Sequence, residues 1–176
     1  MKNKPNYAFI DSNNLYLGIK SEGWTIDYAK FRLYLKNKYN VDKAFLFIGM
    51  IDKNKKLYDT FEKQGYTLIF KPTVRYFENG EETRKGNVDA ELVLHSAAIQ
   101  YKKYNKAVIV SGDGDFACLV KYLIEKNKLL LILTPNKHYS GLLRRYDLYI
   151  KRIDNSRSSL EYKATKKTRT SGRSKP

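Results

Sequence analysis

The stretch VIVSGDGDFACLV, Val108 to Val120, joins a short apolar run to an amphipathic segment through a glycine-rich turn, and the turn carries Asp113 and Asp115 one residue apart. Phe116, Leu119, Val120, Leu123 and Ile124 fall at i, i+3, i+4, i+7 and i+8, the spacing of one helix face, so the stretch is a buried strand feeding a helix that packs back on it. Strand, turn and helix in that order is the unit from which parallel sheets are built. The first apolar run, YAFIDSNN from Tyr7, repeats the design and ends on Asp11.

Outward from these two units the same alternation continues. Strands are expected at Tyr7–Asp11, Lys43–Met50, Tyr66–Pro72, Lys106–Ser111, Lys128–Thr134 and Leu148–Ile153. Asp27 is a helix N-cap ahead of a face formed by Tyr28, Phe31, Leu35 and Tyr39. Leu57, Tyr58 and Phe61 mark a second helix, closed at Gly65. One insertion breaks the rhythm: TVRYFENGEETRKG, residues 73–86, centres on Asn79-Gly80, a strong hairpin signal, and predicts a β-arm. After Asp154 the composition turns basic and polar, which predicts one domain over 1–154 and a disordered basic tail over 155–176.

The 176 residues include 34 Lys and Arg against 18 Asp and Glu, a net charge of +16. Such an excess points to a polyanionic partner, nucleic acid before a membrane surface, since no long basic amphipathic helix stands out. Aromatic rings beside basic residues, as in Arg75-Tyr76, Lys121-Tyr122 and Arg145-Tyr146, can stack bases, and the same rings can equally serve the core. A lone cysteine, Cys118, excludes an internal disulfide and a cysteine zinc site. With no apolar run of membrane-spanning or leader length, a cytoplasmic protein is expected.

In an open parallel sheet, ligands bind beyond the carboxyl ends of the strands. If the first and fourth strands are neighbours, Asp11, Asp113 and Asp115 share that edge, and Asp89 joins them from the helix leading into the fourth strand. Two carboxylates about 4 Å apart repel by about 4 kcal/mol at an effective dielectric near 20, so such a group needs a cation or a raised pKa. Hard oxygen donors in a cluster suit Mg²⁺ or Mn²⁺. Taken singly, each Asp could instead be a helix cap or turn residue. The EF-hand spacing and a dinucleotide-binding glycine fingerprint are both absent.

FIDSNNLY, KGNVDAEL and VSGDGDFACLV, in that order, resemble the motifs of the NYN domain family, PIN-like metal-dependent ribonucleases that include the LabA-like proteins, and LLRRYDLYIKRI resembles the family's closing helix and strand. The resemblance implies an α/β, three-layer PIN-like fold with a central parallel sheet ordered 3-2-1-4-5. It assigns Asp11, Asp89, Asp113 and Asp115 as catalytic metal ligands for Mg²⁺ or Mn²⁺, with Asn14 and Ser111 beside them. It makes RNA, single-stranded or structured, the expected partner, and it allows a homodimer. Phosphate contacts are expected from Arg75, Arg84, Lys85, Lys137, Arg144 and Arg145. One departure is His95, standing where the family often has a second helical Asp. Six residues turn a helix by about 240°, so His95 leaves the face of Asp89 and joins Val88, Leu92 and Ile99 on an apolar stripe, as a packed or supporting histidine. That departure keeps a rival reading open, a catalytically inactive RNA-binding module of the same fold.

Overall fold

The computed structural model describes residues 4–49, 54–71, 74–78, 81–85 and 88–164. Among the described residues, eight strands and six α-helices follow one another as β1 (Asn6–Asp11), α1 (Ser12–Ser21), α2 (Tyr28–Tyr39), β2 (Val41–Gly49), α3 (Lys55–Lys63), β3 (Tyr66–Lys71), β4 (Val74–Glu78), β5 (Glu81–Lys85), α4 (Val88–Leu94), β6 (Ala107–Val110), α5 (Ala117–Glu125), β7 (Leu129–Thr134), β8 (Ile150–Arg152) and α6 (Arg157–Leu160). Six strands form one sheet in the order β3-β2-β1-β6-β7-β8, every pairing parallel. With the β4–β5 arm set aside this is 3-2-1-4-5-6, the expected order with a sixth strand on the β7 edge.

Both faces of the sheet are covered, which is why its strands read as unbroken apolar runs. Along β1, Ala8 and Ile10 face one layer with Leu15 and Ile19 of α1 and Phe31 and Leu35 of α2. Tyr7 and Phe9 face the other, with Phe45, Phe47, Leu92, Tyr104, Leu119, Val120 and Leu123. Asp27 caps α2 by accepting a hydrogen bond from the Lys30 N–H at 3.1 Å. Gly65 follows α3 at φ +89°, a conformation that glycine adopts without a Cβ clash. Tyr122 and Tyr146 are half-buried against the second layer, so the core claims much of both rings.

Strands β4 and β5 pair antiparallel, Val74 opposite Lys85 and Glu78 opposite Glu81, as a separate two-stranded sheet; Asn79 and Gly80 lie outside the described residues. The expectations for the stripe on α4 and for the tail need correction. Helix α4 runs into a π-helical turn at His95–Ile99, closed by the Gln100 N–H donating to the His95 carbonyl, five residues back. The buried Ser96 hydroxyl donates to the Leu92 carbonyl at 2.8 Å, back-bonding of the kind that bends helices. The extra residue shifts the helical phase, so Leu92 is buried while Ile99 is exposed and the stripe breaks.

The second correction concerns the tail, whose disorder was expected from residue 155. The chain is folded through Tyr162: α6 buries Leu160, Ile26 and Glu161 form an antiparallel bridge, and the Asp27 and Tyr162 amides donate to the carbonyls of Leu160 and Thr25 at 2.8 Å. One buried leucine and a few backbone bonds outweigh a polar composition. Residues 165–176 lie outside the described residues. Leu160→Ala is expected to cost about 2–5 kcal/mol in urea unfolding, whereas a truly detached tail would leave the midpoint unchanged.

Candidate active site

Asp11 closes β1 and caps α1, its Oδ1 accepting from the Asn14 N–H at 3.1 Å. Its Oδ2 accepts from the Ser111 hydroxyl at 3.3 Å, across the β1–β6 boundary. Ser111 Oγ in turn accepts from the Asp113 N–H at 3.1 Å, and Asp113 Oδ1 from the Asp115 N–H at 3.0 Å. Asn14 Oδ1 accepts from the Gly112 N–H at 2.8 Å. Asn14 and Ser111 thus tie the first and fourth βα turns into one unit. The turn leaves no room for larger residues: a Cβ on Gly114 would sit 2.3 Å from Ser140 Oγ, and one on Gly112 would lie 3.2 Å from the Tyr139 Cβ.

The carboxyls of Asp11 and Asp89 feel the charges of their neighbours. Burial raises the Asp11 carboxyl above the ordinary carboxylate value, and the charges of Asp89 and Asp113 push it further while its two hydrogen bonds pull it back. Asp89, in the first turn of α4, is raised by burial and then by Asp113 and Asp115, with Lys71 opposing. Asp11 is almost fully buried, Asp113 half-buried and Asp115 exposed. Asp11, Asp89 and Asp113, though not Asp115, border a cleft of about 1270 Å³ whose walls also include Asn14 and Lys71. The loop after β7 forms part of its rim: Asn136 Nδ2 donates to the Gly18 carbonyl at 2.7 Å, holding Pro135 against α1.

His95 is half-buried and packs against the aromatic layer. Its ring meets Phe47 edge-on at 5.5 Å and its Nε2 lies 3.9 Å from Glu91. Burial lowers its pKa, and its Nδ1 has no hydrogen-bond partner among the described residues. Lys137, Arg144 and Arg145 are exposed, the two arginines on a 3₁₀ run, Gly141–Tyr149, that is pinned by the buried Leu143. Arg75 and Arg84 stand opposite each other on the arm and Lys85 opposite Val74; their side chains lie outside the described structure. Sequence reasoning missed Lys71, a buried lysine at the end of β3. Its signal was a charge closing an apolar strand at the same sheet edge as Asp11.

Among the described residues, no three Asp, Glu, His or Cys side chains are close enough to form a closed metal cage. The carboxylate oxygens of the acids lining the cleft are donors of the type a hard cation takes, and Mg²⁺ keeps several waters while taking one or two carboxylates plus substrate phosphate. Mutually destabilised carboxylates are the groups such an ion would relieve.

The NYN domain family model matches residues 7–153. The chain belongs to the NYN domain family. Among its relatives, low amplitude and bright protein LabA of Synechococcus elongatus is 26% identical over 161 residues, 87% of this chain and 86% of that protein. An uncharacterized glycosyltransferase of Methanocaldococcus jannaschii is 26% identical over 148 residues, 81% of this chain but 47% of that protein. The crystal structure of a Vibrio parahaemolyticus protein of unknown function matches with a TM-score of 0.73 at 21% identity, covering 92% of this chain and 99% of that one. At that identity the likeness concerns the fold. NYN domains are PIN-like, and the family is one of ribonucleases. No helix among the described residues is long and apolar enough to cross a membrane.

Proposed function

We propose that this NYN domain is a divalent-metal-dependent ribonuclease that hydrolyses phosphodiester bonds at the Asp11, Asp89, Asp113 and Asp115 corner of its cleft. The observation that carries the reading is that Asp11, Asp89 and Asp113, acids from three separate parts of the chain, line one cleft. Acidic side chains gathered in this way repel the polyanion they would cleave unless a cation intervenes, while the chain as a whole, at +16, attracts it.

One or two of Asp11, Asp89 and Asp113 would hold Mg²⁺ or Mn²⁺ directly and the others through water, with Asp115 at the exposed margin. Such an ion supplies charge stabilisation at the phosphate and an acidified water. The protein's own groups do the rest. Ser111 and Asn14 fix the Asp11 carboxylate and the 111–115 turn. Lys137, Arg144 and Arg145, all exposed, are the phosphate contacts we assign near the rim, and Arg75, Arg84 and Lys85 those on the arm.

One observation favours a second reading, an RNA-binding module without turnover: the acids do not close into a ready-made cage among the described residues. Labelled single-stranded and structured RNA, incubated with purified protein and Mn²⁺, separates the two. Cleavage that appears with Mn²⁺ and stops on adding chelator is expected. Salt-sensitive binding with intact RNA at every metal concentration would establish the module instead.

A further inference from the structure

Lys71 is 8% exposed as a whole residue, a degree of burial rare for a lysine without a purpose or a partner. It ends β3 opposite Gly49 of β2, at the same edge of the sheet where Asp11 ends β1. Its side chain lines the cleft together with Asp11, Asp89 and Asp113. Burial works against its charge, and Asp89 and Asp11 support it. A single lysine cancels only one of the acids in the corner, so it cannot by itself relieve their repulsion. It does place a fixed positive charge beside the position where a divalent ion would be held.

Two cations sharing one group of carboxylates repel each other. A phosphodiester laid between them attracts both, and any ligand that relieves a repulsion makes binding of the two partners interdependent. We propose that Lys71 is a resident cation of the acidic corner: it holds divalent-ion affinity down while the cleft is empty of nucleic acid, and donates a hydrogen bond to the phosphate that enters. Metal and RNA then bind cooperatively, and the ion is recruited with its substrate. The inference rests on the metal-site reading above, and it assigns Lys71 a phosphate contact that is buried in the cleft floor rather than carried on the basic surface.

The test uses the full chain and two binding measurements that need no catalysis. Mn²⁺ affinity is followed by electron paramagnetic resonance of the free ion without nucleic acid, and affinity for a short fluorescent oligoribonucleotide is followed by anisotropy in chelator. Lys71→Met is expected to tighten Mn²⁺ binding about fivefold and to weaken oligonucleotide binding by about the same factor. Lys71→Arg, which keeps the charge, should stay near the parent in both. Opposed signs cannot come from a folding defect, which would weaken both together. Loss of both affinities, or unchanged Mn²⁺ binding in Lys71→Met, overturns the role of Lys71 and leaves the metal site standing. If neither the parent nor Lys71→Met takes up Mn²⁺, the metal-site reading itself is overturned and this inference with it.

Discussion

Asp11→Asn is expected to reduce Mn²⁺-dependent RNA cleavage by about a hundredfold or more, and at the same time to raise the melting temperature of the protein in chelator. The two effects have one origin. Asn keeps the shape of Asp and can still cap α1 toward the Asn14 N–H, so the fold loses little. It removes a charge that burial disfavours and that Asp89 and Asp113 repel. The sign follows from proton linkage. Because the folded-state pKa of Asp11 lies above its unfolded value of 3.8, the folded protein holds the proton more tightly, and stability is lost as pH rises through the interval between the two. At neutral pH the penalty is fully present, and Asn removes it. For a chain of this size each ~1 kcal/mol relieved raises the melting temperature by about 2–4 °C. Stability measured from acid to neutral pH should therefore fall less in the variant than in the parent. RNA binding in chelator should be retained or improved, since a negative charge has left the cleft. A variant that melts lower in chelator and binds RNA worse would show that Asp11 is a structural cap and no part of a cation site.

What could be read from the sequence was whatever is decided locally. Asp11, Asp27 and Asp113 cap the segments that follow them, and capping depends on a side chain and an amide two or three residues on. The strand order followed from the family motifs, and the faces of α5 from its period. What escaped is decided by contacts distant in sequence. Lys71 reads as the polar end of a strand before a proline, and only the parallel pairing of β1, β2 and β3 brings it to the corner occupied by Asp11. The π turn depends on how Ser96 and Tyr104 settle, the Tyr104 hydroxyl donating to the Ser96 carbonyl at 2.7 Å. Residues 157–162 carry little apolar content, and the partner of Leu160 lies more than a hundred residues earlier, beside Ile26. Leu148, expected to open the last strand, is 94% exposed, because β8 begins only at Ile150.

Phe9→Ala is expected to destabilise the protein by about 3–5 kcal/mol, a shift in urea midpoint with little change in slope. Phe9 is 0% exposed in the central strand, two residues before Asp11, and so shares a sheet face with it. Its ring stacks on Phe45 at 5.5 Å and meets Tyr104 edge-on at 5.5 Å, with Phe47 at 6.5 Å. The loss is large against a typical domain stability of about 5–15 kcal/mol, since a cavity in the middle of a covered sheet has no loose element to fill it. Phe9→Leu, which keeps most of the apolar area, should lose roughly half as much or less. The aromatic layer continues from Phe47 to the His95 ring, and His95 belongs to the turn that extends the helix carrying Asp89. Loosening this layer therefore reaches the acidic corner from below. At a temperature where Phe9→Leu and the parent are both fully folded, the variant should need several times more Mn²⁺ for half-maximal cleavage, with the RNA affinity in chelator unchanged. An unaltered Mn²⁺ requirement would mean that the β1 and β6 turns alone fix the corner, and that the layer beneath Asp89 serves stability only.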